Sequence, residues 1–492
     1  MALTNLPVEI LEHIVRHALP EGFESLALTC RKIYAMCTPF IARHNLLRSH
    51  FQHVIFYEKM GDPLYTIRSA FDLIARIVTE PIVARYVRYL ESKVDSCFLY
   101  HRPRHLYPDV NCGDVVIKSF AESPYLKQAG LDWQEYYDEI EKDLEAARYS
   151  QYAAAFLLTL LPNVEKIALP KKWKSVLATD KLIDAVIHKA RQSYHLPFDT
   201  SSLTKLTEFE DSVPLNAHQR FDMALASPFL ALPRVRSFWG PSCVARQDSG
   251  HQSIDKSQLT YPFGESLETV DFVSSDIDPA GIAIFLKHTT RLRKLTYSHA
   301  SKDSEGPHDD DWDICNFVTK IEHAVGAHLE ELSISIRELR GSLTPGRASL
   351  RGFQQLRKLE LPIEFAVCNA SADAAADRNI ILSLESLTIE DGSTNHPTSD
   401  NKQPILGHLI PPSVRQLSLL SSGAQDHAKA LEVIFRHFAA KKPSKLPALE
   451  EIYLSCPDSA DDLYKEECAE LQAETEKAGV VLHLKAWSFN FL

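Results

Sequence analysis

The sequence predicts an α/β chain with a helical module at its N-terminus, followed by an irregular solenoid in which parallel strands alternate with helices. A six-residue pattern carries most of this: apolar, two variable residues, apolar, one variable, apolar, returning repeatedly between residues 164 and 454. Helix-compatible stretches fall between the copies, at 279–288, 312–325 and 427–439. The opening residues add a third observation, apolar side chains at helical spacing behind an early proline.

Pro7 suits the first turn of a helix, where its fixed φ helps and its missing N–H is not needed. Glu9 places a negative charge near the positive end of the helix dipole. Leu6, Ile10 and Ile14 recur every four residues, and Leu11, Val15 and Ala18 form an adjoining stripe, so the apolar face is wide. Pro20 and Gly22 stop this helix. Leu26, Leu28, Ile33 and Met36 then supply a second apolar set around Cys30 and Arg31. About 45 residues in two or three short helices leave too much surface open to bury both stripes alone. The module needs a cover, either the rest of its own chain or another protein.

Leu6-Pro7-Val8-Glu9-Ile10-Leu11 followed by Cys30-Arg31-Lys32-Ile33-Tyr34 resembles the F-box, the helical module that hooks a substrate receptor onto a Skp-type adaptor of a cullin-based ubiquitin ligase. Where that family often carries Trp after the second half, the nearest aromatics here are Tyr34 and Phe40. The resemblance implies an adaptor-binding set of Leu6, Pro7, Ile10, Leu11, Ile14, Leu28, Cys30, Ile33 and Tyr34.

The strand pattern begins clearly at Val164-Glu165-Lys166-Ile167-Ala168-Leu169. Further copies start at Leu267, Leu292, Leu329, Leu356, Leu384, Val414 and Leu449, with weaker ones at Leu203 and Val235, where Glu208 and Gly240 replace the last apolar residue. Alternation at the end of each copy is the period of a half-buried strand, and the apolar residue before it closes the turn. From Leu267 onward the copies start 25 to 37 residues apart. One strand and one helix per roughly 20–29 residues, with insertions in the longer units, is the leucine-rich-repeat plan. A single unit cannot bury its own face, whereas stacked units share a core and a curved parallel sheet. The alternative is a conventional α/β domain whose parallel strands share a pattern.

Between the two regions the reading is less regular. Residues 62–79 read as a helix with Ile67, Phe71, Ile74 and Val78 on one face. The segment 81–90 resembles the approach to the first repeat strand in fungal F-box proteins with degenerate leucine-rich repeats. Pro103, Pro108 and several His and Arg make 101–108 a loop. Asp132 and Glu135 form a capping box for a helix through Trp133, Tyr137, Ile140 and Leu144, and 149–160 is the next helix. The expected organisation is therefore an F-box at 1–48, a helical linker at 49–80, and a degenerate repeat domain at 81–492 with a helical insertion at about 97–150.

At 492 residues the chain exceeds one ordinary core. Apolar residues at 45 % and charged ones at 24 % fit a soluble folded protein. A net charge of −12 without a long basic run argues against nucleic acid or an anionic membrane as partner. No apolar stretch approaches a bilayer span, and no signal peptide is expected after Met1. Nine irregularly spaced cysteines without a Cys-x-x-Cys pair read as reduced thiols, so residence in cytoplasm or nucleus is expected. Asn369-Ala370-Ser371 matches a glycosylation acceptor and is taken as chance.

Motifs for chemistry do not assemble. His101 and His105 have helical spacing, but Pro103 lies between them and no Glu follows the first His. His308-Asp309-Asp310-Asp311 reads as a charged loop in which one Asp caps a helix at Trp312. The 17 glycines are dispersed and form no phosphate cradle, and no Gly-x-Ser-x-Gly elbow occurs. Cys243, Cys315, Cys368 and Cys456 lack an activating neighbourhood and read as buried or edge thiols. Neither a metal nor a cofactor is expected, and the chain reads as non-catalytic.

The open face of the predicted sheet is the better candidate for recognition. Residues flanking the last two apolar positions point away from the core: Lys294, Thr296, Ser298, Glu331, Ser333, Ser335, Lys358, Glu360, Ser386, Thr388, Glu390, Gln416, Ser418, Glu451, Tyr453 and Ser455. The set to which substrate contact is assigned is Lys294, Thr296, Glu331, Ser333, Lys358, Glu360, Thr388 and Tyr453. A simply solvated face is the alternative, and the insertion loops 300–311 and 391–404 are further places for contact. The apolar tail 486–492 reads as a cap on the last repeat, or as an exposed peptide ligand. Together the resemblance implies a substrate receptor of an SCF-type ubiquitin ligase, binding a Skp-type adaptor, through it a cullin, and an unidentified protein substrate. The rivals are a repeat scaffold with no role in ubiquitination, and an enzyme whose site gathers residues distant in sequence.

Overall fold

The computed structural model describes residues 3–56, 67, 69–92, 113–146, 148–196, 201–211, 220–246, 263–302, 311–369 and 409–486. The chain folds as two compact units, Met1–Val213 with Pro228–Val235, and Pro214–Ser227 with Arg236–Leu492. Parallel strands alternate with helices in both.

The first unit opens with helices α1 (Val8–Ala18), α2 (Phe23–Ala27) and α3 (Arg31–Phe51). Leu11, Val15, Phe23, Ala27, Ile33 and Cys37 form their shared core. Helix α3 continues almost directly into strand β1 (His53–Ile55), which is followed by β2 (Tyr89–Glu91), β3 (Lys166–Ala168) and β4 (Glu208–Glu210). These four pair in sequence order, all parallel, so that Val54, Leu90, Ile167 and Phe209 stack in register as one buried column. The helix at Ala70–Thr79 is capped by Ser69, whose hydroxyl accepts from the Asp72 amide, and the helix at Trp133–Glu145 by Asp132, which accepts from the amides of Gln134 and Glu135.

Glu21, in the turn between α1 and α2, ties these helices to the first strands. Its carboxylate takes Arg85 and Asn163, while Asn163 Nδ2 also donates to the Arg85 carbonyl at 2.8 Å. Burial raises the pKa of such a group, yet the hydrogen bonds from Arg85 and Asn163 outweigh it and hold the Glu21 carboxyl below its ordinary range. In parallel, His44 of α3 hydrogen-bonds the Tyr86 hydroxyl at 2.8 Å.

The second unit carries β5 (Phe221–Asp222), β6 (Ser237–Pro241), β7 (Cys243–Ala245), β8 (Thr269–Ile277), β9 (Lys294–Ala300), β10 (Glu331–Glu338), β11 (Lys358–Pro362), β12 (Gln416–Leu420), β13 (Glu451–Ser455) and β14 (Val481–Lys485). Its main sheet runs β6-β8-β9-β10-β11-β12-β13-β14, open at its end, with β7 linking β5 to β8. The residue that closes the turn before each strand is buried without exception in Leu267, Leu292, Leu329, Leu356, Val414 and Leu449, all at 1 % exposure or less. One register position then forms a continuous apolar column: Phe238, Val270, Leu295, Leu332, Leu359, Leu417 and Ile452. Gly240 stands where other copies carry an apolar side chain because a Cβ there would lie 2.7 Å from Cys243 Sγ and 2.9 Å from the Phe238 ring.

The structure departs from these expectations, adds to them or leaves them outside the described residues in several places. The copy at 384–389 lies outside the described residues, and its neighbours β11 and β12 hydrogen-bond directly to each other, Lys358 opposite Gln416. Asp313 caps the helix Ile314–Val325 through the Asn316 amide, whereas Asp311 accepts from the amide and hydroxyl of Ser342, each at 2.7 Å. The single helix expected at 427–439 is two, Gln425–Phe435 and Phe438–Lys445, broken where His437 adopts φ 58°. Strands β1, β5, β7 and β14 were not foreseen. The tail 487–492, the loops 101–108 and 391–404, and residues 303–310 of the other expected insertion loop lie outside the described residues.

Because the Glu21 carboxyl sits below its ordinary range in the folded chain, its contribution is present at neutral pH and is lost as pH falls through its folded value. Replacing Glu21 by Gln should lower stability by about 1 kcal/mol at pH 7. Urea midpoints of the two proteins should then converge as the pH is lowered into the acid range.

Candidate functional site

Two surfaces and one buried cluster account for the residues of interest. On the first surface, Leu11 and Ile33, each 1 % exposed, belong to the helical core, so of the nine residues expected to face an adaptor these two only hold the helices in place. Leu6, Ile14 and Cys30 are half-buried against the same core. Pro7 is exposed, and Ile10, Leu28 and Tyr34 stand in water at 48 %, 81 % and 52 % exposure. Val8, outside the expected set, joins them at 53 %. Its place beside Pro7 in the first turn of α1 was the available signal, since its i, i+3, i+7 spacing to Leu11 and Val15 alone would put it on the inner side. The helices complete their own core and still leave large apolar side chains uncovered. Covering such surface gains roughly 25 cal/mol per Å².

The second surface is the half-open side of β9 to β13. Lys294, Thr296, Glu331, Ser333, Lys358, Glu360, Gln416 and Ser418 line a hollow of about 250 Å³ floored by Leu295, Leu332 and Leu359. Glu331 pairs with Lys294 at 3.6 Å and with Lys358 at 3.0 Å, and the Ser333 hydroxyl donates to Glu360 at 2.5 Å. Beside the hollow, Tyr453 donates to Glu451 at 2.9 Å and stacks on His483 with ring centres 4.4 Å apart. Lys485 Nζ lies 4.2 Å from the centre of the Tyr453 ring. Thr388, with Ser386 and Glu390, lies outside the described residues. Ser455, expected to point outward, is buried at 2 % exposure, and its carbonyl accepts from the Tyr464 hydroxyl.

The buried cluster was not foreseen. Lys302, 2 % exposed just after β9, donates from Nζ to Ser242 Oγ at 3.1 Å and from its amide to Asp276 at 3.1 Å. Arg246 donates to the other Asp276 oxygen at 2.9 Å. Tyr297 donates to the carbonyls of Ser275 and Ile277, and His299 stacks on Trp312 at 4.0 Å. Burial brings the Lys302 ammonium down to about 8 and the His299 imidazole down to about 3. The partners come from three strand ends far apart in the chain, with Ser242 at positive φ, so no linear motif announces them.

Among the described residues no group of three or more His, Cys, Asp or Glu is arranged to hold a metal ion. Burial pushes the Cys315 thiol up to about 12 and that of Cys368 up to about 11, and Cys243 is fully buried, while Cys456 is half-exposed. The raised Cys315 and Cys368 thiols are poor nucleophiles at neutral pH. Asn369 is occupied in the interior, its amide donating to the Phe365 carbonyl at 3.0 Å and to Cys315 Sγ at 3.4 Å. No described helix is long and apolar enough to cross a membrane.

The Lys302 ammonium titrates near 8 in the folded chain and near 10.5 as a free side chain. Between those values the unfolded chain holds a proton that the folded chain has released, so this group makes stability rise with pH. Urea midpoints of the native protein should climb from pH 8 to pH 10 relative to those of Lys302→Met, in which this slope is absent. No protein-family model matches the sequence, and no curated protein matches it either.

Proposed function

We propose that this chain is the substrate-recognition subunit of an SCF-type ubiquitin ligase, with α1 to α3 as an F-box and the strand–helix array as a degenerate leucine-rich-repeat domain. The observation that carries the reading is the set of large apolar side chains that the N-terminal helices leave in water. Val8, Ile10, Leu28 and Tyr34 are each about half exposed or more although the core beneath them is complete. A module folded for its own sake has no use for Leu28 at 81 % exposure, whereas a module that docks on a Skp-type adaptor does.

In this reading the adaptor and a cullin bring a charged E2 enzyme near a protein substrate held on the strand face. Rate comes from effective concentration and not from bond-making groups in this chain. The Glu21–Arg85–Asn163 tie would keep the docking helices in fixed relation to the first strands of their own unit, which favours delivery over free tethering. Residence in cytoplasm or nucleus, where ubiquitin ligases of this kind act, is part of the proposal.

Co-expression of the full chain with a Skp-type adaptor, followed by size-exclusion chromatography, tests it. A one-to-one complex is expected for the native chain. It should be lost in Leu6→Ala/Pro7→Ala and in Ile10→Glu/Leu28→Glu, with the circular-dichroism spectrum unchanged. A well-folded native chain that elutes apart from the adaptor would overturn the reading and leave a repeat scaffold.

A further inference from the structure

From β9 to β13 in the sheet of the second unit, the paired residues at the start of each strand carry one sign per strand. Arg293 and Lys294 mark β9, Glu330 and Glu331 mark β10, Arg357 and Lys358 mark β11, Arg415 with neutral Gln416 marks β12, and Glu450 and Glu451 mark β13. Cross-strand ion pairs follow the alternation, Arg293 with Glu330 at 3.7 Å, Lys358 with Glu331 at 3.0 Å and Arg415 with Glu450 at 4.0 Å.

The alternation fails at one boundary. The amides of Arg415 and Gln416 both donate to the Arg357 carbonyl, at 2.9 and 3.0 Å, which sets Arg357 and Arg415 side by side on neighbouring strands. Like charges facing each other across a strand pair are unfavourable. The Arg357 guanidinium is exposed and has no ion-pair partner among the described residues, Arg415 has only its long pair with Glu450, and Lys358 shares Glu331 with Lys294. The hollow spans β9 to β12 beside these arginines and reaches across the same boundary, from Lys358 and Glu360 to the neutral Gln416 and Ser418.

We propose that this face binds an extended protein segment laid across the strands, with an acidic side chain seated on Arg357 and Arg415 and a basic side chain to either side. One basic group would meet Glu330 and Glu331, the other Glu450 and Glu451. Strands lie about 4.8 Å apart, so the middle of the β11–β12 boundary is roughly 7 Å from both β10 and β13. Side chains on one side of an extended peptide repeat every 6.8 Å or so. The match selects a basic-x-acidic-x-basic sequence. This deepens the substrate half of the proposed function and rests on that reading only in calling the segment a substrate.

Fluorescence anisotropy with the full-length chain tests it, using a labelled peptide with a Lys-Ser-Glu-Ser-Lys core and its charge-reversed partner with a Glu-Ser-Lys-Ser-Glu core. The first should bind roughly tenfold more tightly, and its affinity should fall with added salt. Arg357→Gln/Arg415→Gln should erase the preference, and Arg357→Gln alone should weaken it if the double variant folds poorly. Equal binding of both peptides, or an unchanged preference in a folded variant, would overturn the proposal. Adaptor co-elution from the same preparations separates the two readings: a chain that keeps the adaptor without discriminating the peptides defeats this inference alone. A chain that discriminates the peptides without the adaptor defeats the receptor reading and leaves this surface standing.

Discussion

Parallel register is the constraint from which the other features of the second unit follow. Each strand places one apolar residue opposite the next, so Leu295, Leu332, Leu359, Leu417 and Ile452 form a column with no exposed member. Because side chains alternate along a strand, fixing that column fixes the residues between as a second column that cannot join the core. Thr296, Ser333, Glu360, Ser418 and Tyr453 are half-exposed for this reason. A slip of one residue would exchange the two columns, burying glutamate and lysine in place of leucine. The polar face is therefore a consequence of the core, and its charge sequence can vary without disturbing the fold.

The first unit applies the same register to a shorter run and adds a helical module at its start. Helix α3 passes directly into β1, and Glu21, Arg85 and Asn163 join the turn between α1 and α2 to the segment that leads into β2 and β3. The helices thus need no partner to be held, and Leu11, Val15 and Ile33 are already buried. What stays uncovered on them is surplus to folding. An adaptor site read from the motif alone includes Leu11 and Ile33, because spacing cannot tell the inner side of a helix from the outer when both are apolar.

Much of the second unit was legible because its copies share one period. The turn residue and the strand alternation at Leu267, Leu292, Leu329, Leu356, Val414 and Leu449 can be read without coordinates. The copy at Leu384 shows the limit, since a pattern reports spacing and not which strand pairs with which, and β11 meets β12 directly. β14 was hidden because Gly479, at φ 67°, stands at the register position of the turn leucine Leu449, so the pattern lacks its first apolar residue. Four aspartates before Ile314, Asp309 to Asp311 and Asp313, made the cap ambiguous, and only backbone geometry selects Asp313. The cluster at Lys302 depends on Ser242 and Asp276, which no local window brings together.

The central claim is a division of labour, with docking on the N-terminal helices and recognition on the strand face. Hydrogen–deuterium exchange of the full chain, alone and with a Skp-type adaptor, addresses it directly. The account predicts slowed exchange confined to peptides covering α1, α2 and the start of α3, with β9 to β13 unchanged. Protection on the strands without protection of the helices would contradict it.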